Sequence, residues 1–332
     1  MSFFKRTIRR FAARWMQNNG VSDEYFDTAW RNAFSPKDAF WHFFWGRAVD
    51  AHAERVSMRR NAVLSIPDRD AAQYARGLEV LRGLPSGAWR PFLYENVRQP
   101  GEYEAGFCTE RRLPFVVHKS RRLYFPGWMT PGEALTSYRY FREEEGITGD
   151  GILRKHPHCY ETADFKVEEG DIVLDVGCSE GLFALDAADR ASKVYAFETL
   201  RHWREPNRAT FAPFGDKVRV VNKFVGGETI RDAVRLEDAV DGEGSGASFF
   251  LKMDIEGGER TVLAASERFL TTHRVKLACA AYHRQDDAEY LSGKLRAMGF
   301  DVSFSDGYVL PLMREFEYPY FRKTFIRARN YG

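Results

Sequence analysis

Short, unbroken apolar runs alternating with amphipathic stretches organise the second half of the chain. Ile172, Val173, Leu174 and Val176 form an aliphatic run without polar alternation, the pattern of a central parallel strand covered on both faces. Gly177 and Gly181 bracket Cys178, Ser179 and Glu180, and a helix is predicted over 182–191. Further strands are predicted over 194–197, 249–255 and 275–282. An amphipathic helix over 286–298 ends at Gly299, and 302–304, 308–312 and 324–328 read as closing strands of the same sheet. Strands alternating with helices in this way predict a doubly wound α/β core.

The first half has a different texture. Phe3, Phe4, Ile8, Phe11, Ala12 and Trp15 recur at helical spacing, with Lys5, Arg6, Arg9, Arg10 and Arg14 between them. A basic amphipathic helix of this kind suits either peripheral contact with an anionic membrane surface or docking on the body of the protein or on a second copy as a homodimer. Residues 21–106 read as largely helical and aromatic, with Trp30, Phe34, Phe40, Trp41, Phe43, Phe44 and Trp45 dense enough to form a small core. A hairpin is predicted at 113–125 about a turn at 119–121. Thr130, Pro131 and Glu133 make a capping box with proline at the first helical position, so a helix starts there. The expected division is a helical accessory region over 1–130 and an α/β domain over 131–332.

Candidate chemistry gathers where strands meet turns. Asp175 interrupts the first apolar run near its carboxyl end, where a buried carboxylate is unfavourable unless something satisfies it. The glycine turn lets backbone approach a ligand closely, and the following helix start offers free amides. The second strand delivers Glu198 about twenty residues after the turn, suited to gripping a ribose diol. Both NAD(P) enzymes and S-adenosylmethionine enzymes use such a crossover. The dinucleotide fingerprint has a middle glycine that this chain lacks at Ser179, and Asp175 lies two positions before the first glycine. Downstream, a period of two places Lys252, Asp254 and Glu256 on one side of a strand, before Gly257 and Gly258 break it into a helix. Asp254 and Glu256, with His283 at the end of the next strand, are the candidate catalytic groups. Between the capping-box helix and the core, His156, His158 and Tyr160 occupy a short loop. Its two histidines lack an acid partner in sequence and are weak evidence for metal.

The segments VLDVGCSEGLFAL, VYAFE and KMDIEGGERTVL, together with VRLEDAV at 234–240, resemble the successive motifs of the FkbM family of S-adenosylmethionine-dependent methyltransferases over roughly 170–299. The chain departs from the usual motifs at Ser179 and Glu180, and at Thr199 where a proline often follows the ribose acid. The resemblance implies a Rossmann-like class I methyltransferase core. It implies S-adenosyl-L-methionine contacts at Asp175, Gly177, Cys178, Ser179, Gly181, Glu198, Thr199, Asn222 and Asp254, and O-methylation of a small-molecule acceptor, a sugar or secondary metabolite. The competing readings are an NAD(P)-dependent oxidoreductase and a non-catalytic S-adenosylmethionine-binding partner protein. Mg²⁺ would find oxygen ligands in Asp254 and Glu256, but two carboxylates do not establish it, and no metal-ligand set is assigned.

Composition narrows the setting. A net charge of +2 over 332 residues is too balanced to argue for nucleic acid as the main partner. The four cysteines show no C-x-x-C pairing and read as reduced thiols, and the amino terminus lacks an apolar core ahead of a cleavage site. A cytoplasmic enzyme without a transmembrane helix is expected.

Overall fold

Seven strands form the central sheet: β1 (Ile172–Val176), β2 (Lys193–Phe197), β3 (Val218–Val221), β4 (Ser248–Met253), β5 (Arg274–Ala280), β6 (Asp301–Phe304) and β7 (Phe325–Arg329). They belong to a computed structural model that describes residues 56–84, 92–93, 102–144, 146, 156–227, 233–240, 242–243, 246–310 and 317–332. The amphipathic segment expected over the first sixteen residues and the aromatic cluster from Trp30 to Trp45 lie outside the described residues.

The sheet order is β6-β7-β5-β4-β1-β2-β3. β1 pairs in parallel with β2 on one side, Val173 opposite Val194, and with β4 on the other, Val173 opposite Phe250. β3 extends the sheet beyond β2 and β5 beyond β4, both in parallel. β7 runs antiparallel to both β5 and β6. The doubly wound α/β core expected from the apolar pattern is therefore present, closed by one reversed strand. Its strand order changes direction between β1 and β4, so a crevice opens beyond their carboxyl ends, the place where open α/β sheets bind ligands.

Helices α1 (Leu182–Ala187), α2 (Arg204–Phe211), α3 (Glu259–Ala265), α4 (Glu267–Thr272) and α5 (Asp287–Ala297) accompany the sheet. Every residue of β1 is buried, which is why its sequence lacks alternation. Leu174, Phe249, Leu251, Leu277 and Phe269 anchor one core with Leu291 and Leu295 of α5. Each such side chain contributes roughly 1.5–3 kcal/mol of burial.

A smaller antiparallel sheet precedes the core. Leu113–His118 pairs with Arg121–Tyr124 on one edge and with Ala105–Cys108 on the other. Lys119 and Ser120 both take positive φ, so the two-residue turn has the mirror-image form that matches strand twist, without any glycine. Thr130 caps the helix Pro131–Arg139, its hydroxyl accepting from the Glu133 amide while Glu133 accepts from the Thr130 amide.

The chain divides into two compact units, Asn96–Gly307 with Lys323–Gly332, and Met1–Glu95 with Tyr308–Arg322. The central sheet, the hairpin sheet and all candidate site residues belong to the first. In the second, Val63, Leu78, Leu81, Leu310 and Phe321 share a buried cluster. One sequence expectation fails here. Tyr308–Val309 does not close the central sheet but pairs with Phe92–Leu93 in the second unit. Gly307, at a φ of 85°, turns the chain away after β6, and β7 alone occupies the slot between β5 and β6.

Candidate functional site

The turn after β1 is built by three residues in left-handed backbone: Gly177 at φ 79°, Ser179 at 49° and Gly181 at 86°. At Gly177 nothing larger than hydrogen fits, because a Cβ would sit 2.2 Å from the Asp254 carbonyl oxygen. The Gly177 and Cys178 amides both donate to the Phe197 carbonyl at 3.0 Å, tying the turn to the end of β2. Glu198 follows directly. One carboxylate oxygen accepts from the Ser179 amide at 2.9 Å and the other from the Leu200 amide at 2.7 Å. Burial pushes Glu198 up, and the amides of Leu200 and Ser179 pull the other way. Thr199 is half-buried beside it, and the Asn222 amide group donates to the Glu198 backbone carbonyl at 3.3 Å.

Two further acidic groups sit within or under the turn. Burial pushes Glu180 up to about 7. Asp175 is fully buried, 3.0 Å from the ammonium of Lys252, which is itself 3% exposed and donates to the Gly177 carbonyl at 2.5 Å. Burial opposes the charge on Lys252, but Asp175 and Asp254 outweigh it and hold the ammonium protonated. Asp175 thus acts on the turn from below, through Lys252. Cys178 is buried and its thiol is pushed well up by burial and by neighbouring carboxylates, so it fills space and is no nucleophile.

A second cluster lies where β4 and β5 end. Asp254 accepts from the Tyr160 hydroxyl at 3.1 Å and the Tyr282 hydroxyl at 3.4 Å. His158 Nε2 lies 3.3 Å from the same carboxylate and 3.1 Å from the Tyr282 hydroxyl. Burial would raise Asp254, but the hydrogen bond and charge of His158, with His283 and Lys252, hold it well below the usual carboxylate range. His283 Nδ1 lies 2.9 Å from Glu259, a fully buried carboxylate at the start of α3 that also accepts from the Ile255 amide. Its Nε2 faces Asp254 at 3.6 Å and Glu256 at 3.7 Å. Burial disfavours the charged imidazole, yet Glu259 first, then Glu256 and Asp254, push His283 up to about 10. The three carboxylates favour the imidazolium over the neutral ring.

Asp254, Glu259 and His283 offer ligand atoms within 4.8 Å of one another. Their mutual hydrogen bond and ion pairs account for that spacing, and Glu259 already uses one oxygen on His283 and the Ile255 amide.

The structure brings Gly177, Cys178, Ser179, Gly181, Glu198, Thr199 and Asn222 together at one edge of the crevice, with Asp175 beneath them. Asp254, Glu256 and His283 form the adjoining group. The expected alignment of Lys252, Asp254 and Glu256 on one face of a strand does not hold. β4 ends at Met253, and the chain turns through Glu256 at φ 56° and Gly257 at 94°. Lys252 therefore points under the glycine turn, Asp254 reaches the tyrosines, and the Glu256 side chain is 56% exposed. His283 likewise lies past the end of β5. His156 and His158 do not converge on a common ligand position: the His158 amide donates to His156 Nδ1, while the His158 ring faces Asp254 and Tyr282.

Sequence reasoning missed Tyr282, Glu259 and Asn207 as site-forming residues. Tyr282 carries a signal in sequence, being next to His283 at the end of the segment predicted as a strand over 275–282. Glu259 reads only as a first-turn helix acid. Asn207 sits in a helix that carries no motif, and its buried position depends on the tertiary fold.

Residues 201–320 match the family model for the methyltransferase FkbM domain. A comparison with curated proteins finds no match. Among solved structures, the chain is similar to a methyltransferase FkbM from Methylobacillus flagellatus KT at 21% identity, covering 50% of this chain and 45% of that one, with a TM-score of 0.39. An rRNA methylase from Streptococcus thermophilus aligns at 16% identity over 50% of this chain and 90% of its own, TM-score 0.34. Magnesium protoporphyrin IX methyltransferase from Synechocystis PCC 6803, solved with bound SAM, aligns at 12% identity over 49% and 71%, TM-score 0.31. The chain spans less than half the length of the Methylobacillus protein it aligns with.

Proposed function

We propose, from the match of residues 201–320 to the methyltransferase FkbM domain, that the protein transfers the methyl group of S-adenosylmethionine to a hydroxyl of a sugar or secondary metabolite. One observation carries the cofactor half. Glu198 directly follows β2 beside a left-handed glycine turn, and its carboxylate accepts from the Ser179 and Leu200 amides with lone pairs left for a ribose diol. That donor and acceptor set fits the cofactor. When bound, S-adenosylmethionine supplies an electrophilic methyl group on a sulfonium.

The residues of the second cluster divide the remaining work. Methyl transfer to a hydroxyl would release the acceptor proton, which needs a base. Asp254 is a poor one, because the Tyr160 and Tyr282 hydroxyls donate to it and His158, His283 and Lys252 hold it ionised. His283, already protonated, has no lone pair to offer and serves as a fixed positive charge between Glu259 and the outer carboxylates. Glu256 is the exposed carboxylate of the group, and we assign it the proton, a role worth roughly 10²- to 10⁴-fold. Its left-handed backbone is the kind of local strain that gathers at functional sites. The Tyr160 and Tyr282 hydroxyls fix Asp254 in place.

The test joins binding and turnover. S-adenosylhomocysteine at 100 times its dissociation constant should stabilise the protein by about 2.7 kcal/mol, with no effect from NAD. Labelled methyl groups should enter a hydroxyl compound from source-cell extract, and Glu256→Gln should cut kcat by about 10²-fold. Stabilisation by NAD alone would make the protein an oxidoreductase. Stabilisation by S-adenosylhomocysteine without any methyl incorporation would leave a binding protein and end the catalytic reading.

A further inference from the structure

Ser179 adopts a conformation that serine does not choose. Its φ of 49° lies in the left-handed region, where an L side chain crowds its own backbone. Neighbouring Gly177 and Gly181 take the same region without penalty; Ser179 must be held there. Two hydrogen bonds do so from opposite ends. The Ser179 amide donates to Glu198 at 2.9 Å, and the Ser179 carbonyl accepts from the Asn207 side chain, also at 2.9 Å.

Asn207 belongs to α2 and is completely buried. Its amide nitrogen also approaches Cys178 Sγ at 3.5 Å, so it spans two successive residues of the turn. Its carbonyl oxygen is buried without a hydrogen-bond partner among the described residues. That oxygen and the Phe211 ring stand 3.1 and 2.7 Å from where a Cβ on Gly181 would fall, so α2 packs directly behind the turn. The Asn207 oxygen is left unsatisfied at a cost, while its nitrogen holds two successive residues of the turn.

We propose that Asn207 is a positioning residue for the cofactor: by gripping the Ser179 carbonyl it holds the turn left-handed at a non-glycine position, so that the Ser179 amide and Glu198 keep the arrangement that receives the ribose. This rests on the reading of that turn as the S-adenosylmethionine site. Asn207 touches no reacting atom. Its effect passes through Ser179, which makes the consequence separable: glycine at 179 tolerates the left-handed region unaided, so the need for Asn207 should fall when Ser179 is replaced by glycine.

The experiment is a double-mutant cycle on the full chain, Asn207→Ala and Ser179→Gly singly and together, titrated with S-adenosylhomocysteine by calorimetry. Asn207→Ala should weaken binding about 10-fold in the native background and less than about 3-fold in the Ser179→Gly background, with KM for the cofactor rising and kcat changing less than about twofold. Asn207→Asp keeps the shape but faces the Ser179 carbonyl with an acceptor, and should lose at least as much affinity. In ligand-free protein, amide exchange across 178–181 should quicken in Asn207→Ala relative to native and less so in the double variant. Equal losses in the two backgrounds, or native affinity in Asn207→Ala, would overturn the proposal. If the native protein binds no S-adenosylhomocysteine, the cofactor reading fails instead, and the ligand-free exchange data still decide whether Asn207 clamps the turn.

Discussion

Replacing Lys252 by methionine tests the polar layer beneath the glycine turn. The ammonium lies 3.0 Å from a fully buried Asp175 and donates to the Gly177 carbonyl at 2.5 Å. At that separation and an effective dielectric of about 20, the attraction is roughly 5–6 kcal/mol, set against the cost of taking both ions from water. Methionine keeps most of the volume and removes the charge, leaving Asp175 buried and uncompensated. Breaking such a pair costs about 3–5 kcal/mol, a large share of a stability of about 5–15 kcal/mol. Lys252→Met combined with Asp175→Asn removes both charges, and should recover about 2 kcal/mol of the loss. Urea unfolding of ligand-free protein at constant pH, with the slope unchanged, reads both quantities. A single-variant loss under about 1 kcal/mol, or a double variant no more stable than the single, would refute the buried-pair account.

Glu198→Ala removes the carboxylate that accepts from two backbone amides together with the proposed ribose contact, and should weaken S-adenosylhomocysteine binding about 10- to 150-fold by calorimetry; unchanged affinity would remove Glu198 from the ribose site. The raised His283 contributes stability that is complete below pH about 6.5 and lost as pH rises through about 10, whereas the depressed Asp254 contributes stability above about pH 4 that is lost on further acidification. Unfolding free energies from pH 5 to 10 should therefore fall on the alkaline side by at most about 1.4 kcal/mol per pH unit from this proton, and the fall should flatten in His283→Gln; identical alkaline slopes would show that His283 is not charged in the fold. Thr130→Ala breaks the capping box and should cost about 1 kcal/mol in urea unfolding, with no change in cofactor affinity.

The fold was legible where burial leaves its mark on residue type. β1 reads directly because covering both faces removes polar alternation, and the helix beginning at Pro131 reads because its cap is a local hydrogen-bond pattern. The extent of β4 was not legible. Ile255 continues the apolar run, yet the strand ends at Met253, where Gly177 packs against the Asp254 carbonyl and the chain must turn. That two-residue difference reassigns Lys252 from the crevice to the layer below it and leaves Glu256 in solvent. The protonation of His283 was invisible for a similar reason. It depends on Glu259, Glu256 and Asp254 meeting one imidazole across a turn and a strand crossover, which no spacing encodes.

Ser179 sharpens what the glycine pattern means. The missing middle glycine separates two cofactor classes in sequence only if its absence reports a different turn. The backbone at Ser179 is nevertheless left-handed, the region a glycine would occupy. Residue type at that position therefore does not select the conformation; the surrounding hydrogen bonds do, through Glu198 on one side and Asn207 on the other. What distinguishes this crevice lies around the turn: Lys252 holding the Gly177 carbonyl from below, and the Asp254 carbonyl occupying the space that any side chain at Gly177 would need. These contacts couple the end of β4 to the turn after β1. A change at either should therefore be felt at the other, in cofactor affinity as much as in stability.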